Sequence, residues 1–214
     1  MVVPSPIWRK ANLRKSGSME GKAALRARLR AARRAHVAAL PDAVRGLLFH
    51  RPPRAVAQLV PAGATIGVYA ETDEEAPASG YARWFFEQGN TIALPWFGSR
   101  GADMDFRIWD NPLIDGSLET GPWAMRQPPS AARRVIPDVV FVPLVGFDTD
   151  GGRLGMGAGH YDRWLEAHPA ALTIGLAWDC QEVSALPMEP HDRALAAIVT
   201  PTRLIGPFDR AEAA

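Results

Sequence analysis

At 214 residues, with 47% hydrophobic and 22% charged residues, the chain has room for one sizeable core or at most two small ones. No apolar run approaches the roughly 18 residues of a membrane span, and no apolar segment with a small-residue cleavage site opens the chain. Cys180 is the only cysteine, which excludes a disulfide framework or a cysteine-rich zinc site and predicts a cytoplasmic location.

The net charge of +1 conceals an asymmetry. Ten of the 24 Lys and Arg residues fall between Arg9 and Arg34, where Glu20 is the only acid, so the rest of the chain is acidic. A basic arm for nucleic acid is one reading. No aromatic residue interleaves the bases from Lys22 to Arg34, however, so bases would find no stacking platform. A solvated helix face is the expectation, with a few bases left to reach a phosphorylated ligand. No nucleic-acid or membrane partner is expected.

Residues 1–17 mix Pro, Ser, Lys and Arg without periodicity and read as a disordered extension, with Met19 an alternative start. A single domain is expected over residues 18–205, followed by a tail at 206–214. Leu25, Leu29 and Val37 at helical spacing predict a first helix from about Ser18, as N-cap, to Leu40, stopped by Pro41. A second helix is expected to start near Pro41-Asp42 and run toward Pro52-Pro53. Thr65–Ala70 and Asn90–Pro95 read as strands around a helix at Ser79–Gln88, a βαβ unit and hence a parallel sheet. The apolar runs Val139–Pro143 and Leu172–Trp178 suit strands covered on both faces, with a helix at Tyr161–Ala167 between them. Asp105–Trp109 and Ala196–Thr200 complete the expected strands. The predicted fold class is α/β: a single three-layer, Rossmann-like domain with a mainly parallel sheet and helices on both faces.

The segment Gly151-Gly152-Arg153-Leu154-Gly155-Met156-Gly157-Ala158-Gly159-His160-Tyr161-Asp162-Arg163 carries the chemistry. Glycines at every second position let successive backbone N–H groups approach an anion with no Cβ in the way. The following helix start adds unsatisfied donors and the positive end of its dipole. Arg153 can add charge-assisted contacts, and Asp162 can hold a metal that bridges phosphate oxygens. The spacing is neither that of the P-loop nor the dinucleotide GxGxxG. A flexible glycine turn with Asp162 as a helix cap is the plain alternative.

This string is similar to the signature of the 5-formyltetrahydrofolate cyclo-ligase (methenyltetrahydrofolate synthetase) family, approximately RLGxGxGYYDR. Lys22-Ala-Ala-Leu-Arg26 resembles that family's N-terminal KxxLR. "VYAETDEEAP" resembles a strand followed by a substrate-contacting glutamate, "TGPWAMRQPP" a W…QP loop, and "AWDCQEV…HDRAL" a late segment with an aspartate after a histidine. The resemblance implies ATP- and Mg²⁺-dependent conversion of 5-formyltetrahydrofolate to 5,10-methenyltetrahydrofolate with release of ADP and phosphate, by a monomer acting on small molecules.

Carried onto this chain, the resemblance places Lys22, Arg153 and Asp162 in catalysis. It assigns ATP to Lys22, Arg26 and the string from Arg153 through Leu154, Gly155, Met156, Gly157, Ala158, Gly159 and His160 to Tyr161. Folate falls to Tyr69, Glu74, Trp123, Met156 and His160, and Mg²⁺ to Asp162 with Asp192. Each has an ordinary alternative. Lys22 and Arg26 suit a solvated face, Glu74 an acidic loop and Asp192 a surface turn, while Tyr69, Trp123 and Met156 suit core packing. Arg28 and Arg30 are expected to be solvated. His160 departs from the family, which has tyrosine there; a titrating imidazole replaces a phenol, or an exposed histidine does little. A sugar-phosphate isomerase-like enzyme and a non-catalytic folate- or nucleotide-binding protein remain as other classes.

Overall fold

The computed structural model describes residues 21–114, 116–187 and 193–208. The predicted helix α1 is Lys22–Ala39, with Gly21 at the N-cap and Leu40 turning extended before Pro41. Ser18 and the 1–17 extension lie outside the described residues. The expected second helix is a correction. Only one turn forms, α2 (Asp42–Arg45), and a further short helix, α3 (Arg54–Leu59), starts after Pro53. Proline suits a helix start because its missing N–H is not needed there, so the pair that stops one element begins the next.

Strand β1 (Thr65–Gly67), helix α4 (Ser79–Glu87) and strand β2 (Thr91–Trp96) form the expected βαβ unit, β1 and β2 pairing in parallel. Strand β3 (Asp105–Ile108) turns back antiparallel on β2. Three short elements follow: β4 (Glu119–Thr120) and β5 (Arg126–Gln127), paired as a hairpin, and β6 (Arg134–Val135) beside β3. Then come β7 (Val139–Pro143), the hairpin β8 (Gly146–Phe147) with β9 (Arg153–Leu154), and helix α5 (His160–Ala167). Strands β10 (Leu172–Leu176), β11 (Ala197–Val199) and the antiparallel β12 (Leu204–Ile205) close the sheet.

The main sheet runs β12-β11-β10-β7-β1-β2-β3-β6, parallel from β11 to β2 with antiparallel strands at both edges. Period two explains why the central strands read as unbroken apolar runs. Val139 and Phe141 face one core with Tyr81 and Phe85 of α4 and Val56 of α3. Val140 and Val142 face the other with Trp164 and Leu165 of α5. Burying such a side chain contributes about 1.5–3 kcal/mol, so both faces hold the strand. This is the expected three-layer α/β domain.

A third, smaller cluster docks α1. Leu25 and Leu29 pack with Val145, Leu154 and Leu186. A Cβ on Gly146 would lie 2.4 Å from Leu29 Cδ1, so glycine there lets the helix lie against the β8–β9 hairpin. The folded unit also runs past residue 205. The Phe208 N–H donates to the Ala196 carbonyl at 2.8 Å and its ring packs on the second core, so the described part of the expected tail belongs to the domain. Among the described residues, no helix is long and apolar enough to cross a membrane.

Candidate active site

The strand order places the site. In chain order the parallel strands build from β1 toward β2 on one side and from β7 through β10 to β11 on the other. The direction of winding reverses between the neighbours β1 and β7, and ligands of open α/β sheets bind outside the carboxyl ends of strands at such a point. The chain leaving β1 carries Tyr69, Glu74 and Glu75; the chain leaving β7 carries the glycine string.

The string has two unlike halves. At Asp148–Gly152 the buried Asp148 carboxylate accepts hydrogen bonds from the N–H groups of Asp150 (3.1 Å), Gly152 (2.8 Å) and Leu186 (3.0 Å). This turn is satisfied internally. Gly155–Gly159 is the reverse. The Gly155 carbonyl accepts from Arg26 Nε (2.9 Å), the Met156 carbonyl from Arg30 Nη2 (2.9 Å) and the Ala158 carbonyl from Arg163 Nη1 (3.1 Å). Among the described residues, the N–H groups of Gly155 to Gly159 have no acceptor. Gly157 (φ 104°) and Gly159 (φ 70°, N-cap of α5) hold left-handed backbone that a side chain would strain. The first N–H groups of α5 continue the row of open donors.

Helix α1 supplies a basic face. Lys22, Arg26, Arg30 and Arg33 recur at helical spacing, and the Arg26 guanidinium lies against Gly157. Arg30 is therefore a correction: it lies one turn beyond Arg26 and reaches Met156 instead of standing solvated. Arg28, off this face, is exposed.

Arg153 does not stand free for an anion. Its side chain is buried, Nη1 donates to the Arg193 carbonyl at 2.9 Å, and Nη2 is ion-paired with Asp162 Oδ1. It holds one oxygen of Asp162, whose side chain stays 39% exposed. No cluster of three His, Cys, Asp or Glu residues suits a metal among the described residues, and Asp192 lies outside them. Magnesium needs no such cage, since one or two carboxylates plus substrate phosphates hold it. The open side of Asp162, next to the row of unpaired donors, fits an ion that arrives with a nucleotide.

Beside this pair, Tyr161 Oη is buried with no hydrogen-bond partner among the described residues. Burial first, then the Glu75 carboxylate, pushes the Tyr161 phenol far above its ordinary range, while Arg153 draws it back. Tyr69, buried and donating to the Ala76 carbonyl, is raised by burial and then by Glu75, Glu71 and Tyr161. Both phenols stay protonated. Glu75, whose Oε2 accepts from Thr72 N (2.9 Å) and Oγ1 (3.0 Å), is thus the acid that acts most strongly on both tyrosines, a residue the sequence left undistinguished from its acidic neighbours. Glu74 points elsewhere: its carboxylate meets Arg33 Nη2 at 3.5 Å, and its carbonyl accepts from the buried Trp178 Nε1 at 2.9 Å.

His160 and Trp123 come together with Phe97, which the sequence did not mark. The Phe97 ring meets His160 edge-on at 4.9 Å and Trp123 at 5.1 Å, and Trp123 lies 5.6 Å from His160. Trp123 (φ 57°) and Ala124 (φ 60°) are consecutive left-handed residues, conformations non-glycine residues rarely adopt. His160 Nδ1 takes a bond from Arg163 at 3.0 Å, leaving the ring proton on Nε2. Burial, then Arg163, lowers its pKa, with Asp103 opposing. The half-exposed Met156 packs by Arg30. Tyr69 instead lines a cavity of about 430 Å³ with Trp109, Arg45, Arg83 and Arg126.

The 5-formyltetrahydrofolate cyclo-ligase family matches residues 18–201. The 5-formyltetrahydrofolate cyclo-ligase of Escherichia coli K12 is 33% identical over 146 residues, covering 65% of this chain and 79% of its own. That of Mycolicibacterium smegmatis is 31% identical over 148 residues, covering 66% and 75%. Two solved structures share the fold at 24% identity. The 5,10-methenyltetrahydrofolate synthetase of Aquifex aeolicus superposes with a TM-score of 0.69 over 89% of this chain and 95% of its own, and that of Mycoplasma pneumoniae with 0.59 over 84% and 98%. The extent of these matches and the glycine string together show that this chain belongs to the 5-formyltetrahydrofolate cyclo-ligase family, a family of ligases.

Proposed function

We propose that the chain converts 5-formyltetrahydrofolate to 5,10-methenyltetrahydrofolate at the expense of ATP, releasing ADP and phosphate. The carrying observation is the Gly155–Gly159 loop, whose carbonyls are drawn off by three arginines while its N–H groups are left without acceptors. A triphosphate supplies the missing acceptors.

The formyl oxygen is a poor leaving group, so N10 closes the ring only after that oxygen is phosphorylated. The formyl oxygen attacks the γ-phosphorus and ADP leaves. N10 then adds to the activated carbon, and phosphate departs with the former formyl oxygen. Such a transfer needs positioning and charge neutralisation more than a protein nucleophile. The loop and the α5 N-terminus hold phosphate oxygens, and Lys22 and Arg26 add charge from α1. Arg153 keeps Asp162 in place, and Asp162 would hold Mg²⁺, which neutralises phosphate charge when bound. Trp123 and His160, grouped with Phe97, offer flat surfaces to the pterin or benzoyl group, and Tyr69 lines a cavity with Glu75.

The test is absorbance of the methenyl product from 5-formyltetrahydrofolate, with and without ATP and Mg²⁺. Product that requires both supports the reading, with ADP formed in step. ATP hydrolysis without added folate, or binding without product, points to the other classes and overturns it.

A further inference from the structure

Arg163 turns back over the glycine loop from near the start of its own helix. Its Nη1 donates to the Ala158 carbonyl at 3.1 Å and its Nη2 to His160 Nδ1 at 3.0 Å, while Nε faces the exposed Asp103 carboxylate at 3.7 Å. A Cβ on Gly159 would lie 3.0 Å from Nη1, so glycine there leaves the guanidinium room to fold back. Stability does not account for the arrangement. A cation near a helix N-terminus opposes the positive end of the dipole, and an exposed ion pair such as that with Asp103 contributes little. With each of its nitrogens turned to a protein acceptor, Arg163 holds its neighbours instead of offering itself to an anion.

What it holds is an imidazole in one state. An arginine only donates, so Nδ1 accepts and the ring proton lies on Nε2. That Nε2–H has no acceptor among the described residues. His160 opens α5, directly after the row of Gly155 to Gly159 N–H groups that also lack acceptors. One guanidinium spans the Ala158 carbonyl and the imidazole, which keeps the ring beside that row. Phe97 and Trp123 pack against the ring from other elements, so three contacts fix its orientation.

We propose that Arg163 is a positioning residue, which holds His160 as a preset Nε2–H donor to a phosphate oxygen of the nucleotide and so raises ATP affinity without touching ATP. The inference rests on the nucleotide reading of the loop. A free neutral imidazole divides between two tautomers and several rotamers, and only one combination aims a donor at a given oxygen. Fixing that combination before binding removes its ordering cost. The ring face is a separate surface, left for a flat group of folate.

The test compares wild type, Arg163→Met, His160→Phe and the Arg163→Met/His160→Phe double variant in the full chain. Nitrogen–proton NMR of the imidazole, at about pH 8 where the ring is neutral, reads the tautomer and the exchange of Nε2–H with water. Calorimetry gives the affinities for Mg-ATP and for 5-formyltetrahydrofolate, and Tm is measured for each variant. In wild type the proton is expected on Nε2, and its exchange should slow on adding ATP but not on adding 5-formyltetrahydrofolate. Arg163→Met should admit the second tautomer and weaken ATP binding about tenfold, with folate affinity within about twofold and Tm unchanged. His160→Phe, which keeps a ring face and loses the donor, should weaken ATP binding by about as much. The double variant should lose less than about thirtyfold, because the two residues act as one donor. Losses that multiply to about a hundredfold show independent action and overturn the proposal. A wild-type proton on Nδ1, or exchange that slows with folate instead of ATP, overturns it equally. So does Arg163→Met that lowers Tm and both affinities together, which is a merely structural role. Should a variant fail to fold, the wild-type spectrum decides: exchange slowed by ATP supports the proposal, and exchange unchanged by ATP overturns it. Wild type that binds no ATP fails the nucleotide reading itself, and the role of Arg163 falls with it.

Discussion

The two halves of the glycine string look alike as sequence and behave oppositely as structure. In Asp148–Gly152 a single buried carboxylate gathers three N–H groups, so the turn is complete without any ligand. In Gly155–Gly159 the acceptors come from nowhere within the described residues, while arginines occupy the carbonyls. Glycine serves the first half by space, since a Cβ on Gly152 would meet the Asp148 carboxylate at 2.7 Å. It serves the second half by conformation, at Gly157 and Gly159. One half builds the fold, and the other is left open for something to fill.

Substitutions should separate the halves. Gly157→Val should have the largest effect, cutting ATP-dependent methenyl formation more than a hundredfold, or about 3 kcal/mol, through lost nucleotide binding. Equilibrium ATP binding to the folded variant checks it, and retained affinity would break the distinction. Asp148→Ala should do the opposite. Removing the acceptor of three amides should lower unfolding free energy by at least about 2 kcal/mol in a denaturant titration. In the folded fraction KM for ATP should stay within about twofold.

The arginines give a smaller effect. Arg26→Ala should raise KM for ATP tenfold to a hundredfold, about 1.5–3 kcal/mol, since it releases the Gly155 carbonyl and removes charge beside Gly157. Arg34→Ala, on the exposed side of α1, should leave KM unchanged within twofold. Equal losses would mean that α1 acts only as a diffuse positive field.

Much of this was legible in the sequence. The central strands β2, β7 and β10 announced themselves as apolar runs because both faces of the sheet are covered. The two-residue strands of the hairpins were not, because two residues carry no periodicity. Nor was α3, whose single buried residue Val56 gives no stripe. The site divides similarly. The glycine string was visible, but not which half was open, since that depends on Asp148 and on Leu186 approaching from a distant loop. Arg30 and Arg33 carried a usable signal, the spacing from Lys22 and Arg26, hidden by the habit of reading arginine as solvated. Glu74 and Glu75 could not be told apart, because their partners Arg33 and the tyrosine pair are assembled only by the fold.

The smallest expected effect concerns His160. Burial lowers its pKa, so the folded protein prefers the neutral ring. Its contribution is complete above the ordinary histidine pKa of about 6.5 and is lost as pH falls toward the lowered value. His160→Tyr should therefore leave activity at neutral pH intact or raised and flatten the acid side of the pH–rate profile. An unchanged acid limb would assign that titration to another group.

The most direct test of the division is amide hydrogen exchange of the full chain with and without Mg-ATP. Protection is predicted to rise at Gly155 to Tyr161 on nucleotide binding, while Asp150 and Gly152, already bonded to Asp148, stay unchanged. Exchange at Gly155 to Tyr161 that does not slow at saturating nucleotide would contradict the account.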